Sequence, residues 1–218
     1  MRNYKNIFID LDGTIINSHE GVVKSLKYSL DKMGIKNYDE KVLDTFIGPP
    51  LTLSFAVKFS MGEEDIKKAI AFYRERYSTK GMYECHAYQG LEQTLIEMKN
   101  SGKRLYVATS KPLHFAKLIL DNLDLSKHFD GIYGADLSGA IHEKEDVIEH
   151  AFKNNPELLK EETLMVGDTM YDIIGANKTG LDSMGVLYGF GKEEDFKEHR
   201  ATYIVKTTAD IAKEILYK

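Results

Sequence analysis

Five or six short apolar runs set the terms for how this chain can fold. They are Ile7 to Leu11, Leu105 to Thr109, Gly131 to Tyr133, Thr163 to Val166, Ser183 to Leu187 and Tyr203 to Val205. Several are continuous rather than alternating. A strand that is apolar on both sides must be covered on both sides, which is the condition of a parallel sheet between helices. Helical patterns fall between the runs. Leu91, Leu95 and Met98 share one stripe, with Gly102 as its stop. Phe115, Leu118, Ile119 and Leu123 make a second stripe, and Val147, Ile148, Ala151 and Phe152 a third. The alternation predicts an α/β fold with a largely parallel sheet.

One stretch interrupts the pattern. From about Ile16 to about Glu84 no run reads as a strand. Helices are expected on Val22, Val23, Leu26, Leu30 and Met33, near Val42 to Phe46, from Leu51 to Phe59 and from Glu63 to about Thr79. Gly48-Pro49-Pro50 breaks the chain between two of them. Because the strand pattern then resumes, the expectation is a core domain of residues 1–15 and 86–218 with an inserted all-helical cap of residues 16–85.

The polar residues that follow the runs carry the chemistry. The first run ends in Asp10-Leu11-Asp12-Gly13, two carboxylates two residues apart. On a strand such side chains point the same way, and the carboxyl end of a strand is where open α/β sheets place ligands. Gly13 permits a tight turn. The second run ends in Thr109-Ser110-Lys111-Pro112, where a hydroxyl and free N–H groups at a helix start can bind an anion; plain helix capping is the bland alternative. Lys144 sits early in a helix expected from Glu143 to Asn154, where a cation opposes the helix dipole. Finally, Gly167-Asp168 ends a run and Asp172 follows on the same face of the next helix. Carboxylates gathered on one sheet rim repel unless a cation sits among them, and hard oxygen ligands suit Mg²⁺. Thr109 and Lys144 then serve phosphoryl oxygens, which is equipment for phosphoryl transfer to a carboxylate.

Composition narrows the partners. With 29 Lys and Arg against 34 Asp and Glu, the net charge of -5 argues against a nucleic-acid polymer. A single cysteine, Cys85, excludes an intrachain disulfide, and with no leader at the N-terminus the expectation is a cytoplasmic protein. No window approaches a membrane span. The expected partner is a small phosphorylated metabolite, and the expected state is a monomer.

The motifs, in this order, resemble the haloacid dehalogenase-like hydrolase superfamily. They are Asp-Leu-Asp-Gly-Thr at 10–14, Ala-Thr-Ser-Lys-Pro at 108–112, Lys144, and Gly-Asp with Asp172 at 167–172. The resemblance spans nearly the whole chain and implies a Rossmann-like core with a helical cap. Phe46 to Leu51, Tyr73 to Tyr77, Leu105 to Pro112, Phe129 to Ala135 and Gly185 to Gly191 are similar to the 5′-nucleotidase and phosphoglycolate phosphatase-like branch. Two positions depart: Ile141 and Thr169 stand where relatives often carry arginine.

The resemblance implies a Mg²⁺-dependent phosphatase. Asp10 would be the nucleophile and Asp12 the general acid and base. The metal would be held by Asp10, the Asp12 carbonyl and Asp168, with Asp172 orienting Asp168 or a metal-bound water. Thr109 and the N–H groups of Leu11 to Gly13 and Ser110 would hold phosphate, and Lys144 would pair with both phosphate and nucleophile. Hinges would lie near Ile15 to Ser18 and Tyr83 to Tyr88, with Ser18, His19, Gly48, Pro49, Arg74 and Arg76 as the cap residues that could reach the leaving group. For the arginines a solvated helix charge is the better expectation. The rivals are a sugar phosphomutase on the same scaffold and a non-catalytic binding protein.

Overall fold

A computed structural model of the chain describes residues 3–136 and 141–217. They form two compact units, one of residues up to Ile16 and from Ala87 onward, the other of Asn17–His86.

The first unit is built on six strands: β1 (Asn6–Ile9), β4 (Arg104–Pro112), β5 (Gly131–Ala135), β6 (Thr163–Gly167), β7 (Asp182–Val186) and β8 (Tyr203–Val205). Their order is β5-β4-β1-β6-β7-β8 and every pairing is parallel. The order reverses at β1, so the chain goes outward on one side through β4 and β5 and on the other through β6 to β8. Ligands bind at the carboxyl ends beside such a reversal. β1 and β6 are buried at every position, which is why their sequences do not alternate. Asn6 is the polar exception in β1. Its amide donates to Thr163 Oγ1 at 3.1 Å and accepts from Arg104 Nε at 2.9 Å, tying the three central strands in register.

Helices α4 (Leu91–Asn100), α5 (Leu113–Asn122), α6 (Lys144–Asn154), α7 (Met170–Thr179), α8 (Glu193–Glu198) and α9 (Thr208–Tyr217) complete the unit. Val147, Ile148 and Ala151 of α6 pack with Ala176 of α7 against Phe8, Tyr106, Ala108 and Met165 of the sheet. Full burial contributes about 1.5–3 kcal/mol for each large side chain among them.

Several boundaries depart from expectation. β1 stops at Ile9, before both aspartates, and β4 runs three residues past Thr109. Pro112 is therefore extended, at φ -53° and ψ 129°, and precedes the helix rather than opening its first turn. In α5 the buried stripe is Ala116, Ile119 and Leu120, while Phe115 and Leu118 are half-buried. Ile16–Asn17 forms a strand, β2, paired with β3 (His86–Ala87). Two residues are too few for a period to show.

The second unit is helical: α1 (His19–Lys32), a 3₁₀ turn (Glu40–Phe46), α2 (Leu51–Phe59), α3 (Glu63–Tyr77) and a short 3₁₀ turn (Gly81–Tyr83). Phe46, Phe55 and Phe59 cluster, with Phe46 and Phe55 ring centroids 5.1 Å apart. Ser29 of α1 donates to the carbonyl of Ala69 on α3. Gly48 takes φ 107°, and Pro50 stands at the start of α2. Among the described residues no helix is long and apolar enough to cross a membrane.

Candidate active site

The carboxyl ends of β1, β4 and β6 bring four aspartates and two lysines of the first unit together. Asp10 follows β1, and its N–H donates to Val166 O at 2.9 Å, so it is held by the sheet although it lies past the strand's end. The turn after it is tight. Leu11 is fully buried and its carbonyl accepts from Ile15 and Ile16; the N–H of Gly13 donates to Ile16 O at 2.8 Å. This corrects the expectation that the Gly13 N–H is open to phosphate, because the turn consumes it. Gly13 is at φ 79°, and a Cβ there would meet Asp168 Oδ2 at 1.9 Å. Glycine is thus required twice, for conformation and for room.

Lys144, the first residue of α6, is 4% exposed, and its ammonium reaches three oxygens. It donates to Asp10 Oδ1 at 2.8 Å and to Ala108 O at 2.9 Å, and stands 2.8 Å from Asp172 Oδ1. Burial alone would pull this ammonium down; the charges of Asp10 and Asp172 outweigh it and hold it above its ordinary range. Asp10 shows the converse balance. Burial pushes its carboxyl up to about 6, with Lys144 opposing and Asp172 and Asp12 reinforcing.

Asp168 is fully buried beyond β6. Its Oδ2 accepts from the Phe190 N–H at 2.8 Å and its Oδ1 from Thr14 Oγ1 at 3.3 Å. Burial first, and then Asp172 and Asp10, raise its carboxyl well above the usual range. No hydrogen bond joins Asp172 to Asp168 among the described residues, although their carboxylates lie in one cluster. Asp172 is the third residue of α7, its Oδ2 accepts from Thr169 N and Oγ1 in a capping box, and its Oδ1 faces Lys144. It forms an ion pair with the lysine.

Thr109 is 2% exposed, with its Oγ1 accepting from the Lys111 N–H, while Ser110 is exposed. Asp12 bridges to Ile16, and its Oδ2 lies 2.7 Å from Lys111 Nζ.

The remaining candidates lie in the second unit. Arg76 is neither solvated nor free to reach a ligand: its guanidinium donates to both Glu84 oxygens and to Ser25 Oγ. His19 pairs with Asp44. Ser18 is 2% exposed, and its Oγ has no hydrogen-bond partner among the described residues. Gly48 is exposed and Pro49 half-buried in the turn before α2.

Three features escaped the sequence reading. Lys111 meets Asp12, a partner about a hundred residues away that no local pattern marks. The loop at 188–191 closes on Asp168: Phe190 donates to it, and a Cβ on Gly189 would stand 2.3 Å from its Cβ. Tyr188 packs on Tyr88, with centroids 4.7 Å apart, and its OH donates to Thr14 O. Paired tyrosines a hundred residues apart leave no local pattern.

Asp10, Asp168 and Asp172 each offer an oxygen within 4.8 Å of the others, all buried, and the cluster could hold a metal ion. The charge balance tests the fit. Four carboxylates, those of Asp10, Asp12, Asp168 and Asp172, face the ammonium groups of Lys144 and Lys111, leaving two negative charges when all are ionised. A divalent cation with oxygen preference matches that donor set.

The family described as haloacid dehalogenase-like hydrolase matches residues 7–186. A 5′-nucleotidase of Pseudomonas aeruginosa is 38% identical over 200 residues, which are 92% of this chain and 90% of that one. The tyrosine-protein kinase PtkA of Mycobacterium tuberculosis is 33% identical over 94% of this chain and 69% of its own. A crystal structure of a predicted phosphatase from Clostridium acetobutylicum superposes with a TM-score of 0.93 at 43% identity, covering 99% of both chains.

Proposed function

The chain belongs to the haloacid dehalogenase-like hydrolase family, and on that premise we propose that it is a Mg²⁺-dependent phosphatase of small phosphomonoesters. The observation that carries the reading is Lys144, buried and joined to Asp10 and Asp172 beside a surplus of carboxylates. A lone buried ion pair is an ordinary structural device; a buried cation shared among excess acids at a strand-end rim is a site.

Asp10 attacks phosphorus while the ester oxygen leaves with a proton from Asp12. The phosphoryl group then rests on the Asp10 carboxylate. Water gives a proton to Asp12, takes the phosphoryl group, and restores Asp10. Thr109 and the Ser110 N–H hold phosphoryl oxygens, and Lys144 keeps the nucleophile oriented and offsets charge on the transferring group. The carboxylates of Asp10 and Asp168 and the carbonyl of Asp12 would hold Mg²⁺, which would supply charge neutralisation for the phosphate. Among substrates, nucleoside 5′-monophosphates come first, on the likeness to the Pseudomonas enzyme; phosphoglycolate and sugar phosphates follow.

Phosphate release from a panel of these esters, with Mg²⁺ and with excess EDTA, tests the reading. Release that stops with EDTA and with Asp10→Asn supports it. Release that persists in Asp10→Asn overturns the nucleophile. Labelling of Asp10 without release of phosphate would favour a mutase.

A further inference from the structure

We propose that Lys111 is a positioning residue that determines which oxygen of Asp12 carries the proton in the transfer step. The inference rests on the phosphatase reading above and extends it to a residue outside the family motifs' catalytic positions.

Lys111 Nζ lies 2.7 Å from Asp12 Oδ2, and its side chain is 9% exposed. An ammonium so enclosed is not a surface hook for a passing anion. The other oxygen, Asp12 Oδ1, is buried and has no hydrogen-bond partner among the described residues. The two oxygens of one carboxyl group are thus held in different conditions.

The chemistry of the partner decides between them. A lysine ammonium carries three donors and no acceptor. The oxygen facing it can only accept. When Asp12 is a carboxylic acid, its proton must therefore sit on Oδ1, the oxygen without a protein partner. The backbone keeps the lysine in place, because the Lys111 N–H donates to Thr109 Oγ1 at 3.2 Å within the extension of β4 to Pro112. Without Lys111 the carboxyl group is a twofold rotor with the proton on either oxygen, and part of the population presents a lone pair to the ester.

In the transfer step Oδ1 gives its proton to the ester oxygen as the P–O bond breaks and the bond from Asp10 to phosphorus forms. The alcohol leaves neutral. Asp12 is left as a carboxylate whose charge Lys111 offsets.

This step matters only for leaving groups that need a proton. An alkoxide does; p-nitrophenolate does not. The test is therefore kcat/KM, which reports transfer to Asp10, for an alkyl phosphomonoester and for p-nitrophenyl phosphate, taken as a ratio. The ratio does not depend on how much of a variant is folded. Lys111→Met is expected to lower the alkyl-to-aryl ratio by about tenfold or more, a share of the roughly 10²–10⁴-fold that general acid catalysis supplies. Lys111→Arg, also a donor without an acceptor, is expected to keep the ratio within about threefold of wild type. An unchanged ratio in Lys111→Met overturns the assignment whatever the absolute rates. A fall in Lys111→Arg as large as in Lys111→Met overturns the donor-only argument. If wild type releases phosphate from neither ester, the phosphatase reading fails and this inference fails with it; the two failures are distinguished by the wild-type rates.

Discussion

The ammonium of Lys144 stands 2.8 Å from Oδ1 of Asp172, joining the first residue of α6 to the first turn of α7. The ammonium donates hydrogen bonds to Asp10 Oδ1 and the Ala108 carbonyl, while Asp172 Oδ1 meets it as an ion pair. Lys144→Met leaves the carboxylates buried without their cation. Breaking a buried pair costs about 3–5 kcal/mol, and 1 kcal/mol shifts the midpoint of a chain this size by roughly 2–4 °C. Thermal unfolding at pH 7 in EDTA should show a fall of about 10 °C. Turnover should fall about 10²–10³-fold, as for the loss of one charge-stabilising donor.

The carboxylates themselves carry the opposite sign. Asp168 is fully buried, and burial with two neighbouring acids raises its carboxyl. Asp168→Asn removes one charge from that crowd. Metal-free, the variant should therefore melt at or above wild type. With Mg²⁺ the order should reverse, because wild type gains about 2.7 kcal/mol at a hundredfold excess over Kd and the variant loses that gain. Melting curves with and without the ion decide it; a variant stabilised by Mg²⁺ as much as wild type would remove Asp168 from the ligand set.

Much of this arrangement is legible in the sequence, and for identifiable reasons. Ile7, Phe8 and Ile9 are covered on both faces, so burial writes itself into composition without a period. Leu91, Leu95 and Met98 lie on the one buried face of their helix and show the helical period. Lys144 stands out because a cation at a helix start is locally unfavourable. What was hidden depends on which partner each polar group finds once the chain is folded. Nothing around Asp172 tells that its free oxygen faces Lys144. Nothing around Arg76 tells that Glu84 consumes its guanidinium. The Gly13 N–H is lost to Ile16 by a turn whose closure depends on how the chain leaves β1.

Gly13 permits a sharper test. Both Gly13 and Gly34 have positive φ, 79° and 75°, but a Cβ at Gly34 meets nothing within 4 Å, whereas at Gly13 it meets Asp168 Oδ2 at 1.9 Å. Gly34→Ala should cost only the left-handed backbone, about 1–2 kcal/mol, with kcat/KM unchanged. Gly13→Ala adds a clash with a candidate metal ligand. It should lose most turnover and the stabilisation by Mg²⁺. Equal effects at the two glycines would mean that conformation alone is at stake.

Within the helical unit, Arg76 and Glu84 give stability a defined pH dependence. Arg76 Nη1 and Nη2 donate to the two Glu84 oxygens at 2.8 and 3.0 Å, with the side chains 17% and 25% exposed. The Arg76 hydrogen bonds hold the Glu84 carboxyl below its ordinary range, against the opposing effect of burial. A depressed folded-state value means that the unfolded chain binds the proton more readily. The contribution is therefore fully present above the unfolded value, about 4.3 for glutamate, and is lost as pH falls through the lower folded value. Arg76→Met should lower the melting temperature at pH 7. The gap from wild type should narrow below about pH 4 as Glu84 takes up its proton. Melting curves of both proteins between pH 7 and pH 3 check this, and a gap that stays constant across that range would show that Arg76 stabilises by packing its stem rather than by pairing its charge.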